Sequence, residues 1–222
     1  MSSRSGIIAA ILALLSNVAG AQNDSAHTSR AWLAPIALLA AGSMDPEVRE
    51  WALHQHSHSL DRFARAINPL GTARTLVPAM AITYAGAFLA HDARLERATL
   101  TTAAAYAATD LVESILKPVV GRERPHYAGR SAHYHPFTTN GDWHSFPSAH
   151  VAHITAIVAA VSAQTDSRPL QVIGAGLVTL VSWDRVYEDQ HWASDVVATA
   201  MLSSFISRTT VHWIESRRRA SP

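Results

Sequence analysis

Three short segments of this 222-residue chain hold residue types suited to a multiply charged oxyanion. In the first, six residues, Pro118 and Gly121 among them, separate Lys117 from Arg124-Pro125. Two cations on stiff, non-helical backbone suit an anion with several oxygens, Arg gripping in bidentate fashion and Lys acting as a point charge. In the second, Phe146-Pro147-Ser148-Ala149-His150 opens an apolar run. Pro147 and Ser148 are helix-starting types, Ser148 as N-cap, and the unpaired N–H groups of a first turn favour an anion. His150 in that turn is placed to protonate a leaving oxygen. The third runs from Trp183 through Arg185 and His191 to Asp195. If a helix has begun by His191, Asp195 at i+4 falls on the same face, within reach of the imidazole. A carboxylate on one ring nitrogen would fix the tautomer and free the other nitrogen as nucleophile or base. Taken singly, each segment has an ordinary explanation: a basic helix end, a capped helix with an incidental His, a core His–Asp pair.

The elements that must position these groups read as helices. Apolar periodicity predicts them over Ala31–Ala41, Pro46–Ala66, Leu76–Ala90, Ala98–Leu116, Ser148–Ala163, Leu170–Arg185 and Ala193–Glu215. Asn68-Pro69-Leu70-Gly71, Pro118 to Gly121 and Arg168-Pro169 punctuate them. Between Arg122 and Phe146 lies one long irregular stretch, of the kind that is usually functional inside a compact domain. The composition is 48% apolar, 7% aromatic and free of cysteine, which suits closely packed helices and excludes disulfides and thiolate metal sites. A net charge of +1 gives no electrostatic case for nucleic acid as a partner.

The N-terminus reads as an export signal: Arg4, an apolar run from Gly6 to Leu15, then Ala19-Gly20-Ala21 in the small-x-small pattern. Residues 1–21 are therefore expected to be removed, leaving a single domain over 22–222 that is exported, periplasmic or membrane-associated. A first membrane helix is the alternative, although its apolar core is short of the roughly 20 residues a span needs. Further on, Leu76–Ala90 and Leu170–Trp183 are the longest apolar stretches, and Asp110 and Glu113 interrupt Ala98–Leu116. With a mean hydropathy of +0.06, buried helices of a soluble or loosely attached domain explain these lengths better than an integral membrane protein does.

Together the segments read Lys-x6-Arg-Pro, Pro-Ser-x-His and Arg-x5-His-x3-Asp, in that order, within residues 117–195. This combination resembles the type 2 phosphatidic acid phosphatase superfamily of lipid phosphate phosphatases, bacterial class A acid phosphatases and vanadium haloperoxidases. The run from Val186 to Val196 looks most like its exported bacterial members. The resemblance implies an all-α, single helical-bundle domain of the acid phosphatase/vanadium haloperoxidase type. It also implies His191 as the nucleophile forming a phosphohistidine and Asp195 as the residue holding its tautomer. His150 would be general acid and then base, and Lys117, Arg124, Arg185, Ser148 and the Ala149 N–H would bind phosphate. Two positions depart from the pattern. Ala149 stands where Gly is common, which matters only if that position needs positive φ. Asp184 stands where Ser is usual, and a carboxylate beside Arg185 would either weaken anion binding or orient the guanidinium.

The implied activity is a metal-independent phosphatase acting on a lipid phosphate, a polyprenyl diphosphate or a small phosphate ester. No cofactor is expected; vanadate would bind as an inhibitor. Two alternatives use the same pocket: a vanadium-dependent haloperoxidase with vanadate as cofactor, and a non-catalytic binder of a phosphorylated headgroup. The partner is a phosphorylated small molecule or lipid, with a membrane surface as a second candidate. The sequence does not fix the ester or the oligomeric state. His54, His56 and His58 scatter over different helix faces and make a poor zinc site. His126, His133, His135 and His144 lie in the long loop that would border the site and read as exposed loop histidines, with a part in substrate access as the alternative. Trp32, Trp51 and Trp213 read as core, with a membrane surface as the alternative, and Arg217-Arg218-Arg219 as a solvated tail.

Overall fold

A computed structural model describes residues 41–220. The apolar run and expected cleavage at Ala21, Trp32, and all but the last residue of the Ala31–Ala41 helix lie outside the described residues. The described chain is helical: α1 (Asp45–Leu53), α2 (His58–Ile67), α3 (Ala73–Leu89), α4 (Ala93–Val120), α5 (Pro125–Ala128), α6 (Ala149–Ala163), α7 (Arg168–Tyr187) and α8 (Ala193–Ala220). Single 3-10 turns lie at Asn68–Gly71 and Gly141–Trp143.

Helix α6 is the hub. Its mean composition is apolar on all sides, the pattern of an enclosed helix, and ten of its fifteen residues are buried. It packs against α4, α7, α8 and the Asn68–Gly71 turn. Val151, Ile154 and Val158 meet Val178 and Val181 of α7 and Val196 and Val197 of α8 in one core. Fully burying each Val contributes about 1.5–3 kcal/mol. Alanines between them bring the helices close enough for polar side chains at the helix ends to meet.

The element limits differ from the sequence expectation in ways that bear on the site. The helix expected over Pro46–Ala66 is two helices, because Ser57 turns extended and accepts the Leu60 N–H as an N-cap. Helix α4 starts early, where the Asp92 carboxylate accepts from the Arg94 and Leu95 N–H groups. It then continues through Pro118 to Val120. Lys117 therefore projects from a regular final turn and not from broken backbone. Gly121 ends it in the left-handed conformation, with φ +58°. A Cβ there would lie 1.9 Å from the His135 carbonyl oxygen, so only glycine allows the His135 N–H to reach the Gly121 carbonyl at 2.7 Å. That bond and the Arg122–Tyr134 bridge lay the long loop across the end of α4.

The loop histidines are partnered: His133 with Glu123, His144 with the Thr138 carbonyl, and His126 with the Asp189 carbonyl. The terminal arginines are not a loose tail, since α8 runs to Ala220 and Arg218 donates to Thr101. Trp51 is half-buried and Trp213 is exposed, contrary to the core reading. Apolar side chains stand exposed on several helices, Ile82 and Leu89 on α3, Val172 on α7 and Phe205 on α8 each by 70% or more. Among the described residues, no helix is long and apolar enough to cross a membrane.

Candidate active site

The final turn of α4, the first turn of α6, and the connection between α7 and α8 bring the charged segments together. The three cations, Lys117, Arg124 and Arg185, all lower the proton affinity of both His150 and His191. The two imidazoles therefore share one electropositive space.

His191 lies just before α8, not in its first turn, since that helix begins at Ala193. It is buried, and its Nδ1 sits 2.5 Å from the carbonyl oxygen of Ser145. A carbonyl only accepts, so Nδ1 carries the hydrogen and Nε2 holds a free lone pair. Burial first, then Arg124 and Lys117, push the His191 pKa well below the ordinary histidine value. The side chain is a neutral imidazole with a defined tautomer, the form a nucleophile needs.

The expected His191–Asp195 contact is not formed. Asp195 is fully engaged elsewhere: Arg122 Nη1 donates to Oδ1 at 2.5 Å, while the Ser145 hydroxyl and the Trp192 N–H donate to Oδ2 at 2.6 and 3.1 Å. The last of these is the backward half of a capping box on α8. Asp195 thus fixes Ser145, and the Ser145 carbonyl fixes His191. The i+4 expectation failed because His191 precedes the helix by two residues.

Arg122 was not singled out by the sequence reading. Besides Asp195, it donates to Ser194 Oγ, to the Ser131 carbonyl and to Asp45 Oδ2 at 2.7 Å. Burial works against its charge, and the Asp195 and Asp45 carboxylates more than offset this, so its pKa is raised.

Ser148 occupies the N-cap position of α6, but its hydroxyl caps nothing. Its N–H is held by Thr199 Oγ1 at 3.0 Å, and its buried Oγ has no partner. His150 Nε2 is likewise buried and unpartnered. Buried polar atoms without partners are costly, and two at the mouth of a helix N-terminus, within one cationic space, fit an anion that would satisfy both. Ala149 is the first residue of α6 and is not among the positive-φ residues, so a methyl group is tolerated there. The Asn68–Gly71 turn closes the other side: a Cβ at Gly71 would lie 2.7 Å from the His150 Cβ.

Each cation is already held. Lys117 Nζ donates to the Pro147 carbonyl at 2.7 Å and pairs with Glu113, one turn back on α4. Burial lowers the Lys117 pKa, and Glu113 works against that. Arg124 donates to Gln190 Oε1 at 2.8 Å and to the Gly141 carbonyl at 3.1 Å. Arg185 turns its Nε and Nη2 toward Asp184 Oδ2, which leaves Nη1 uncommitted to that carboxylate. Asp184 therefore orients the guanidinium.

Burial, with Arg185, His153, Lys117 and Arg124 adding to it, lowers the His150 pKa to about 4. A bound dianion opposes that repulsion and raises the value, so anion binding takes up a proton. Affinity for sulfate, whose own charge is constant over this range, is expected to strengthen as pH falls from 7 toward 4. The slope approaches roughly tenfold per unit for one proton. Calorimetry across that range checks this, and in His150→Gln the slope should fall markedly. Among the described residues, no group of three or more His, Asp or Glu side chains is placed to hold a metal ion.

Residues 98–219 match the family model described as the PAP2 superfamily. Among solved structures, the chain is similar to the first transmembrane PAP2-type phosphatidylglycerolphosphate phosphatase from Bacillus subtilis. The TM-score is 0.63 at 20% identity, over 94% of this chain and 96% of that one. That likeness carries the helical fold. No curated protein matches at the sequence level. The family match covers more than half of the sequence and all three charged segments, so the chain belongs to the PAP2 superfamily and is classed with its phosphoric ester hydrolases.

Proposed function

We propose that this protein hydrolyses phosphate monoesters or diphosphates through a phosphohistidine formed on His191. One observation carries the reading: a neutral, buried His191 whose Nδ1–H is held by the Ser145 carbonyl, in a space shared with three cations and the unpartnered Ser148 Oγ and His150 Nε2. In the first half-reaction Nε2 attacks phosphorus, the bond from phosphorus to the leaving oxygen breaks, and His150 gives that oxygen its proton. In the second, His150 takes a proton from water, the water oxygen bonds to phosphorus, the phosphorus–nitrogen bond breaks, and inorganic phosphate leaves. Lys117, Arg124, Arg185, Ser148 and the Ala149 N–H hold the non-reacting oxygens throughout. Fixed charges aimed at the transferring group lower the barrier without reorganisation. Asp195 acts at one remove, through Ser145.

The substrate class is a phosphate or diphosphate on an apolar group. Two observations support it: the exposed apolar side chains of α3, α7 and α8, and the fold shared with a transmembrane phosphatase of a phospholipid phosphate. The same side chains support attachment to a membrane surface, and the N-terminal apolar run supports export.

The test is phosphate release by the purified chain with EDTA present, from p-nitrophenyl phosphate, a short-chain phosphatidic acid and a polyprenyl diphosphate. Release that resists EDTA, is blocked by vanadate and is fastest on a lipid ester is the expected result. Folded protein that releases nothing, or that oxidises halide with peroxide once vanadate is added, would overturn the reading.

A further inference from the structure

Helix α1 lies outside the residues matched by the family model, yet two of its side chains fasten the connection that carries His191. Arg49 grips Asp189 with both ends of its guanidinium, Nε to Oδ1 and Nη2 to Oδ2 at 2.7 Å each, across 140 residues of sequence. One turn earlier, Asp45 accepts the Ser194 N–H at 2.8 Å and the Ser194 hydroxyl at 2.6 Å, supplying from another helix the N-terminal cap of α8. His191 sits between these two fastened points, two residues after Asp189 and three before Ser194.

Asp189 has φ +54°, a conformation where glycine is the ordinary choice. The left-handed turn lets the Gln190 and His191 N–H groups both return to the Arg185 carbonyl, at 3.1 and 3.3 Å, so Arg185 and His191 are locked to each other. His126 holds the Asp189 carbonyl from the loop side at 3.0 Å. An aspartate carries steric strain in this left-handed conformation that glycine would not, and the carboxylate it brings is held at both oxygens by Arg49.

We propose that α1 is a strut for the nucleophile: Asp45 and Arg49, four residues apart on one helix, are positioning residues that set the placement of His191 relative to Arg185. The proposal rests on the phosphatase reading for its kinetic arm only.

The test compares Arg49→Ala, Arg49→Lys, Asp189→Gly and the Arg49→Ala/Asp189→Gly double variant in the full chain. Asp189→Gly keeps the backbone preference of the turn while removing the clamp, so it reports even if Arg49→Ala fails to fold. With p-nitrophenyl phosphate, kcat is expected to fall roughly ten- to hundredfold in Arg49→Ala and in Asp189→Gly, as a misplaced nucleophile would produce, with KM changed little. Lysine at 49 restores part of the loss, and the double variant is no worse than either single one, because both remove the same contact. Unchanged kcat, a change in KM alone, or multiplying losses would overturn the proposal. If the unaltered chain releases no phosphate, the phosphatase reading fails by itself. The strut is then read from the nitrogen-15 NMR signal of the His191 Nδ1–H, which is expected to be slow to exchange in the unaltered chain and lost in Asp189→Gly. A signal unchanged in that variant contradicts the strut.

Discussion

Replacing His191 by Ala is expected to lower phosphate release by about 10⁴- to 10⁶-fold, which is roughly 5–8 kcal/mol of transition-state stabilisation. The size follows from what remains. Lys117, Arg124 and Arg185 keep their own partners when the imidazole is removed, so the proposed anion site persists while the proposed nucleophile is gone. The variant should therefore still bind sulfate with affinity close to that of the unaltered chain. Calorimetry with sulfate beside a phosphate-release assay separates this outcome from a collapsed site. Appreciable turnover in a folded variant would remove His191 from the reaction.

His150→Ala is expected to have the second-largest effect, and its size should depend on the leaving group. A general acid contributes typically 10²- to 10⁴-fold. An alkyl or lipid alcohol needs the full proton, whereas p-nitrophenolate leaves without one. Loss at the upper end of that range is expected for a short-chain phosphatidic acid, and a much smaller loss for the first turnover of p-nitrophenyl phosphate. The second half-reaction still needs a base, so the aryl substrate should show a burst of about one equivalent of p-nitrophenol followed by slow turnover. Structure favours a clean variant. His150 Nε2 has no protein partner to orphan, and the Cβ that packs against Gly71 is kept. Rapid-mixing measurement of the burst decides it: equal losses on both substrates and no burst would mean that His150 does not handle the proton.

The sequence carried the groups at the centre of the candidate site because they sit at helix ends with fixed local spacing. Lys117 closes α4, His150 opens α6, and Arg185 and His191 flank the break between α7 and α8. What it did not carry are the groups that hold those residues in place, because the contacts are long-range. Arg122 reaches Asp195 across 73 residues and Asp45 across 77, and Asp45 reaches Ser194 across 149. No local pattern encodes such pairs. The Asp195 expectation failed for a related reason: its spacing from His191 suits a helix, but the helix starts after the histidine. One usable signal was present in Arg122-Glu123-Arg124, where two arginines share the motif segment and only Arg124 fits the Lys-x6-Arg-Pro spacing. Another was Asp45-Pro46, an acidic residue before a proline at a helix start, which is a common way to begin α1 and concealed the carboxylate's work on α8. Pro118 misled in the opposite direction. Its missing N–H costs one bond near the end of α4, where the Gly121 N–H to Lys117 carbonyl bond at 3.0 Å still closes the helix.

The most direct measurement is capture of the covalent intermediate. The chain is mixed with substrate labelled at phosphorus, quenched in alkali within milliseconds, and digested for mass spectrometry. The account predicts phosphate on the imidazole of His191, absent in His191→Ala and accumulated in His150→Ala with p-nitrophenyl phosphate. Turnover in the unaltered chain with no phosphorylated residue in His150→Ala, or with the label on any other side chain, would contradict it.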